Sequence, residues 1–94
     1  MFQNETLKDE MLKGFNSDVI YKGLKYHIQT EDWGSDNPVF VSQIFKDGAV
    51  VKNIKIPYTK VLTLEKMRDH RSIKMALETQ HKSILDLLVS GQLI

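Results

Sequence analysis

The stretch Leu24–Glu31, LKYHIQTE, decides the fold of this chain. Its residues alternate with a period of two, so that one set faces one side of a strand and the other set faces the opposite side. The first set is Leu24, Tyr26, Ile28 and Thr30, and the second set is Lys25, His27, Gln29 and Glu31. This alternation predicts a half-buried β-strand with Tyr26 and Ile28 turned inward.

Turn signals around this strand predict an antiparallel meander. Lys22-Gly23 precedes the strand, and a tract rich in turn formers follows it. Farther along, Asp47-Gly48 is a tight-hairpin signal between two apolar runs, Val39–Phe45 and Ala49–Ile56. No connection is long enough for a parallel crossover, so residues 16–58 are predicted to form four antiparallel strands.

The last third of the chain has a helical period instead. Apolar side chains recur at the spacing of one helix face; Gln80 falls inside this stripe, and His81 borders it. The stripe consists of Ile73, Ala76, Leu77, Gln80, Ile84, Leu87 and Leu88. Ser72 is a plausible N-cap, which predicts a helix over residues 73–90 after a connection over residues 59–72.

Together these elements predict a single α+β domain over residues 1–94, in which a four-stranded antiparallel meander packs against a long C-terminal helix. Residues 1–15 are predicted to form a short N-terminal helix or arm. The third strand is apolar on both faces, and one helix covers only one face of a sheet. We expect the N-terminal helix or a second subunit to cover the other face, which makes Phe40 and Ile44 candidates for contact with a partner.

Composition limits the functions open to the chain. Its 94 residues are 41% apolar and 27% charged, as in an ordinary small domain with little room for a deep active site. The 13 basic and 12 acidic residues leave a net charge of +1, which argues against nucleic-acid binding. The absence of cysteine excludes disulfides, thiolate-bound metals and a thiol nucleophile. No apolar run has the length of a membrane span, and no secretory-signal pattern is present, so we expect a cytoplasmic protein without membrane insertion.

The first group of candidate site residues lies in and just after the Leu24–Glu31 strand. His27, Gln29 and Glu31 point to one face at steps of about 6.8 Å, a spacing too long for one shared metal ion. We interpret them as the polar face of a half-exposed sheet or as a strip that contacts a partner; a catalytic or metal role has less support. Trp33, the single tryptophan, is either a core-edge residue or an exposed anchor for a partner. No metal site and no cofactor are predicted.

The second group is Gln80-His81, in the middle of the predicted helix. A buried glutamine needs a hydrogen-bond partner, and the simplest partner is a polar residue of the sheet, for which the YHIQTED strand is the first candidate. We therefore predict that Gln80 and His81 form a structural lock between the helix and the sheet.

Several short motifs resemble those of a group of small bacterial, mainly proteobacterial, proteins that have a YHIQTED…NP…QH pattern. The motifs are Tyr26–Asp32, Asn37-Pro38, Gly48-Ala49-Val50, Tyr58, Gln80-His81-Lys82 and Gly91-Gln92-Leu93. The resemblance covers residues 16–93, and the chain departs from the pattern at Trp33 and in a longer charged connection over residues 64–71. No activity is established for the group, so the resemblance implies no catalytic residues.

Two functional hypotheses follow. No nucleophile elbow and no phosphate-binding loop is present in the sequence, and the leading hypothesis is a non-catalytic protein-interaction or regulatory module that binds a protein partner or forms a homodimer. The alternative is a small-molecule or nucleotide-sensing domain with a shallow pocket near Trp33. RNA binding through the sheet is a third option, which the near-neutral charge disfavours.

Overall fold

The computed structural model describes residues 14–34 and 36–94, which form one antiparallel sheet with one long helix on it. In chain order the elements are β1 (Phe15–Tyr21), β2 (Leu24–Asp32), β3 (Val39–Lys46), β4 (Ala49–Pro57) and α1 (His70–Val89). The strand order in the sheet is β1-β2-β3-β4, so the predicted α+β meander is confirmed. The predicted N-terminal helix lies outside the described residues.

Both tight hairpins have the turn geometry that their sequences indicate. Lys22 and Gly23 have φ angles of 52° and 78°, and Asp47 and Gly48 have φ angles of 54° and 82°. Two consecutive residues with positive φ form a type I′ turn, whose twist matches the right-handed twist of the strands that it joins. The two turns therefore hold β1 against β2 and β3 against β4.

Gly14 brings the chain into the sheet at a point where no side chain fits. Its φ is +88°, and a Cβ atom built on it would lie 1.9 Å from the carbonyl oxygen of Thr30. Only glycine combines this left-handed conformation with such a close approach to the backbone of β2.

The core lies between α1 and one face of the sheet, which we call the inner face, and it contains two apolar clusters. The first cluster consists of Tyr26, Ile28, Ile44, Ile84 and Leu88. The second consists of Phe40, Tyr58 and Leu77. Along β3 and α1, the buried polar residues Ser42 and His81 lie between the two clusters. On β2, the buried Thr30 follows the first cluster and bonds to both Ser42 and His81. A polar layer therefore separates the two halves of the core.

The position of α1 corrects one sequence prediction. Phe40 and Ile44 were candidates for partner contact, but both are 0% exposed beneath α1. They are core residues, so this prediction is wrong for them. The opposite, outer face of β3 also has a buried residue, Val41, which is 2% exposed and lies in register between Glu31 and Lys55.

The helix begins earlier than its sequence indicates. α1 starts at His70 with Asp69 at the N-cap, three residues before the predicted start at Ile73. The Ser72 hydroxyl donates a hydrogen bond of 2.6 Å to the Asp69 carboxylate, and this bond holds the pKa of Asp69 below its usual range. Ser72 thus supports the cap from inside the first turn.

α1 does not cover the whole inner face. It packs on β1, β2 and β3, and the edge strand β4 is left largely open to solvent. Near the start of β4, Val50 and Val51 are 47% and 46% exposed. The open side of the fold is therefore the β4 edge.

Candidate functional site

Three features of the structure are candidates for function: a buried polar cluster, the outer face of the sheet, and a groove beside β4. At the edge of the outer face lie Trp33 and Gly34, which we call the Trp33 corner. The buried polar cluster centres on His81, which is 4% exposed between α1 and the sheet. Its Nδ1 atom shares a hydrogen bond of 2.8 Å with Thr30 Oγ1, and its Nε2 atom shares one of 2.8 Å with Ser17 Oγ. The ring therefore joins α1 to both β1 and β2.

Gln80 extends the cluster to the third strand. Its Nε2 atom donates a hydrogen bond of 2.9 Å to Ser42 Oγ, which lies 2.8 Å from Thr30 Oγ1. The depths of burial are the reverse of those expected from the sequence, because His81 is buried and Gln80 is only half-buried. That these bonds stabilise the fold as a lock stays a prediction, which is developed in the Discussion.

The Ser17–His81 pair has the distance of a nucleophile and its general base. Two observations argue against that chemistry. The second ring nitrogen of His81 faces a threonine hydroxyl, not a carboxylate that would stabilise an imidazolium. The pair also lies within the packed layer, and neither residue lines the groove described below. We therefore interpret the pair as structural.

Burial lowers the pKa of His81 below its ordinary value of 6.5, and the charge of His27 adds to this effect. At mildly acidic pH the unfolded chain binds a proton at this ring more readily than the folded chain does. The free energy of unfolding should therefore fall as the pH decreases below about 6.5. Urea unfolding at pH 7.5, 6.5 and 5.5 measures this slope, which should become shallower in His81→Gln; equal slopes for the two proteins would contradict the prediction.

On the outer face, the predicted strip residues bond to their own neighbours. His27 Nδ1 donates to Asp18 Oδ1 at 2.8 Å, and this bond holds the pKa of the Asp18 carboxyl below its usual range. Gln29 Nε2 donates to Glu31 Oε2 at 2.7 Å. His27, Gln29 and Glu31 are half-buried, and the residues that the structure describes include no group of three or more potential ligands placed to hold a metal ion.

A row of four amides crosses the outer face, and sequence reasoning missed it. Asn16, Gln29, Gln43 and Asn53 lie in register on the four strands. Each is inconspicuous in its own strand, and the row forms only when the register is known. The row places one amide side chain on each of the four strands of the outer face.

The Trp33 corner carries an exposed aromatic side chain at the end of β2. Trp33 is 43% exposed, and the Lys55 ammonium lies 5.1 Å from the ring centroid. The Asp32 carboxylate accepts hydrogen bonds from the Gly34 N–H at 2.9 Å and from the Tyr58 hydroxyl. Burial, followed by the bond to Asp32, raises the pKa of Tyr58 well above its usual value. Asp32 thus serves to hold the turn.

Beside β4 lies an apolar groove of about 790 Å³, which we call the helix–β4 groove. Ile54 and Ile56 form its floor on β4, and Met75, Thr79 and Leu87 belong to its wall on α1. Val61 and Leu62 of the connection and Leu93 near the C-terminus complete its apolar lining. Lys66 is the only charged side chain among the described residues of the lining.

The sequence-predicted site residues lie elsewhere. Of all those residues, only Gln80 borders the groove, and Trp33 is not part of its lining. The sequence did contain one signal for the groove, which is the width of the apolar face of α1. Met75 and Leu87 lie to one side of the buried residues Leu77, Ile84 and Leu88. That face is wider than one sheet contact requires.

Comparisons with protein-family models, with curated proteins and with solved structures find no match for this chain. The resemblance noted in the sequence therefore stays a prediction. Within the described part of the chain, no helix has both the length and the apolar character needed to cross a membrane.

Proposed function

We propose that this protein is a non-catalytic protein-interaction module that binds its partner along β4 and the helix–β4 groove. The observation that carries the proposal is an apolar edge that no described residue covers, where a groove of about 790 Å³ lies beside an edge strand of nine residues. An edge strand presents unpaired backbone N–H and C=O groups, which can pair with a strand of another chain.

The exposed apolar residues near this edge support the same surface. Val50, Val51, Val61 and Met75 are each between 46% and 60% exposed, and all belong to β4, the connection or the adjoining flank of α1. Val61 and Met75 line the groove itself, and exposed apolar surface of this kind on a small domain is typical of a binding site. The opposite edge strand, β1, differs because α1 covers its inner side.

The outer face is a weaker candidate than this edge. Several of its polar side chains, including His27 and Gln29, already bond within the sheet. A partner would have to replace those bonds as it displaced water, which reduces the net gain from binding. The Trp33 corner adjoins Lys55 of β4 and is compatible with a partner that extends past the strand.

Two neighbouring residues of α1 allow a matched test. Ser83 lines the groove, whereas Lys82 points to the other flank and pairs with Glu78. Ser83→Trp should fill the groove and abolish capture of the native partner, and Lys82→Trp should preserve it. Both positions are exposed, so both variants should keep the helical and β-sheet circular dichroism of the wild type.

The measurement is affinity capture from the native cell, followed by sedimentation of the purified protein alone. The proposal predicts either a partner protein or a dimer that is lost in Ser83→Trp and retained in Lys82→Trp. Equal capture and equal sedimentation for the wild type and both variants would rule out the groove as the binding surface.

A second candidate function rests on the size of the groove. A volume of about 790 Å³ lies within the range of small-molecule sites, and the lining is mainly apolar with a few polar groups. An apolar ligand therefore fits better than a nucleotide, because the described lining offers a nucleotide a single cation, Lys66. A thermal-shift screen tests this function: a true ligand raises the melting temperature of the wild type but not of Ser83→Trp.

A further inference from the structure

Near the end of β4, apolar and basic side chains alternate between the two faces of the sheet, whereas Lys52, closer to its start, lies on the inner face opposite Ile44. Ile54 and Ile56 face inward and line the helix–β4 groove, whereas Lys55, between them, faces outward opposite Val41. A strand paired with β4 would alternate in the same way, because successive side chains of a strand point to opposite faces. Its inward side chains would enter the apolar groove, and its outward side chains would lie beside Lys55.

Charge is distributed unevenly between the first three strands and the segment that runs from β4 into the start of α1. Residues 49–75 carry seven lysine and arginine residues and two carboxylates, whereas residues 14–48 carry three lysines and five carboxylates. No cation of residues 49–75 forms an ion pair within 4.0 Å with any residue that the structure describes. β4 and the segment after it are therefore basic; Lys66 lines the groove, and Lys55 contacts the Trp33 ring.

We infer that the occupant of the β4 edge is an extended segment of another protein in which apolar and acidic side chains alternate. This inference rests on the proposed function, because it uses the same docking surface. The apolar side chains would fill the groove above Ile54 and Ile56, and the acidic side chains would face Lys55. Backbone hydrogen bonds to β4 would hold the segment as a fifth strand.

Two other occupants fit the surface less well. A second copy of the chain, paired through its own β4, would offer no carboxylate to Lys55, because β4 carries two lysines and no acidic residue, and like charges across an interface oppose binding. Nucleic acid would meet the cations, but the described residues that line the groove include no aromatic side chain on which a base could stack.

Labelled nine-residue peptides test the inference by fluorescence anisotropy with the full chain. The probe alternates isoleucine with glutamate, and a second peptide carries lysine in place of glutamate. Two further probes carry N-methyl groups on the odd or on the even residues, which removes alternate backbone donors. We expect the acidic peptide to bind and the lysine peptide not to bind. One methylated peptide should retain binding and the other should lose it, since only one edge of the peptide faces β4.

Lys55→Glu and Lys25→Glu are the matched protein variants. Both lysines are exposed on the outer face, but Lys25 lies on β2 near the far edge of the sheet. Lys55→Glu should weaken the acidic peptide by about tenfold at ~50 mM salt and less at ~500 mM, because salt screens exposed charges. Lys25→Glu should leave its affinity unchanged.

Five outcomes would overturn the inference. Three concern the peptides: no binding of the acidic peptide, equal binding of both peptides, or equal binding of both methylated peptides. The other two are displacement of the peptide by a single-stranded RNA and a dimer that blocks the peptide. A native partner or dimer lost in Ser83→Trp would leave the proposed function standing in each case. If Ser83→Trp retains the native partner or dimer while the acidic peptide still binds the wild type, the proposed function of the groove is wrong although the peptide result stands.

Discussion

Phe40→Ala is expected to lower the free energy of unfolding by about 3–5 kcal/mol, the range for removing a large buried aromatic side chain. Phe40 is 0% exposed and stacks on Tyr58, with 4.7 Å between the ring centroids. Tyr58 and Leu77 complete the second apolar cluster, and Phe40 is the largest fully buried side chain that the structure describes. For a domain of this size, such a loss is a large part of the total stability.

Phe45→Ala is the matched control, because Phe45 belongs to the same strand and points to the opposite face. Its side chain is half-buried, and its ring lies 6.0 Å from that of His27. The expected loss is about 1 kcal/mol, in proportion to the smaller apolar area that leaves water on folding. Urea titration with tryptophan fluorescence measures both variants. A Phe45→Ala variant as unstable as Phe40→Ala would show that the two faces of β3 contribute equally to the core.

The contrast between these two phenylalanines also shows what the sequence can predict. Alternation along β3 separates Phe40 and Ile44 from Val41 and Phe45, and that separation is correct. The sequence does not say which of two apolar sets lies under the helix, because both sets satisfy the same pattern. The choice depends on long-range packing of α1, which places Phe40 and Ile44 in the core.

The start of α1 is ambiguous for a local reason. Asp69 and Ser72 are both good N-cap residues, and they are three positions apart. The structure uses Asp69 as the cap and lets the Ser72 hydroxyl bond to its carboxylate. The two candidates are hydrogen-bonded to each other, which resolves the ambiguity. This bond cannot be read from the sequence, because it depends on the conformation of the backbone.

The helix–β4 groove could not be predicted from the pattern of any one element. A helix with its side chains is about 10–12 Å wide, whereas four strands about 4.8 Å apart span roughly 14 Å between their edges. One helix therefore leaves part of a four-stranded inner face open. Which edge stays open depends on the crossing of α1 over β1, β2 and β3, a property of the packed domain.

Thr30→Val is the second change with a large expected effect, a loss of about 2–4 kcal/mol in the free energy of unfolding. Valine keeps the shape of threonine but removes the hydroxyl that bonds to both His81 and Ser42. Thr30 and Ser42 are 0% exposed and His81 is 4% exposed, so water cannot easily replace the lost partner. The change leaves His81 Nδ1 without its partner, which costs about 1–3 kcal/mol, and removes one of the two bonds of Ser42, which adds about 1 kcal/mol.

Ser17→Ala provides the control for this prediction. It removes the other hydroxyl that contacts His81, but Ser17 is only half-buried, and His81 keeps its bond to Thr30. We expect a loss of about 1 kcal/mol. A Thr30→Val variant that is no less stable than Ser17→Ala would contradict the lock.

A double-mutant cycle of Thr30→Val with His81→Leu separates the lock from the general effect of burial. If the two side chains stabilise the fold mainly through their shared hydrogen bond, the double variant should be more stable than the sum of the two single losses predicts, because the second change removes the partner that the first left unsatisfied. The coupling should be about 1 kcal/mol or more. Strict additivity would mean that the polar layer is merely tolerated between the two apolar clusters, whereas strong coupling would mean that it fixes the position of α1 on the sheet. That position leaves β4 uncovered, so the same cluster would then determine where the groove opens.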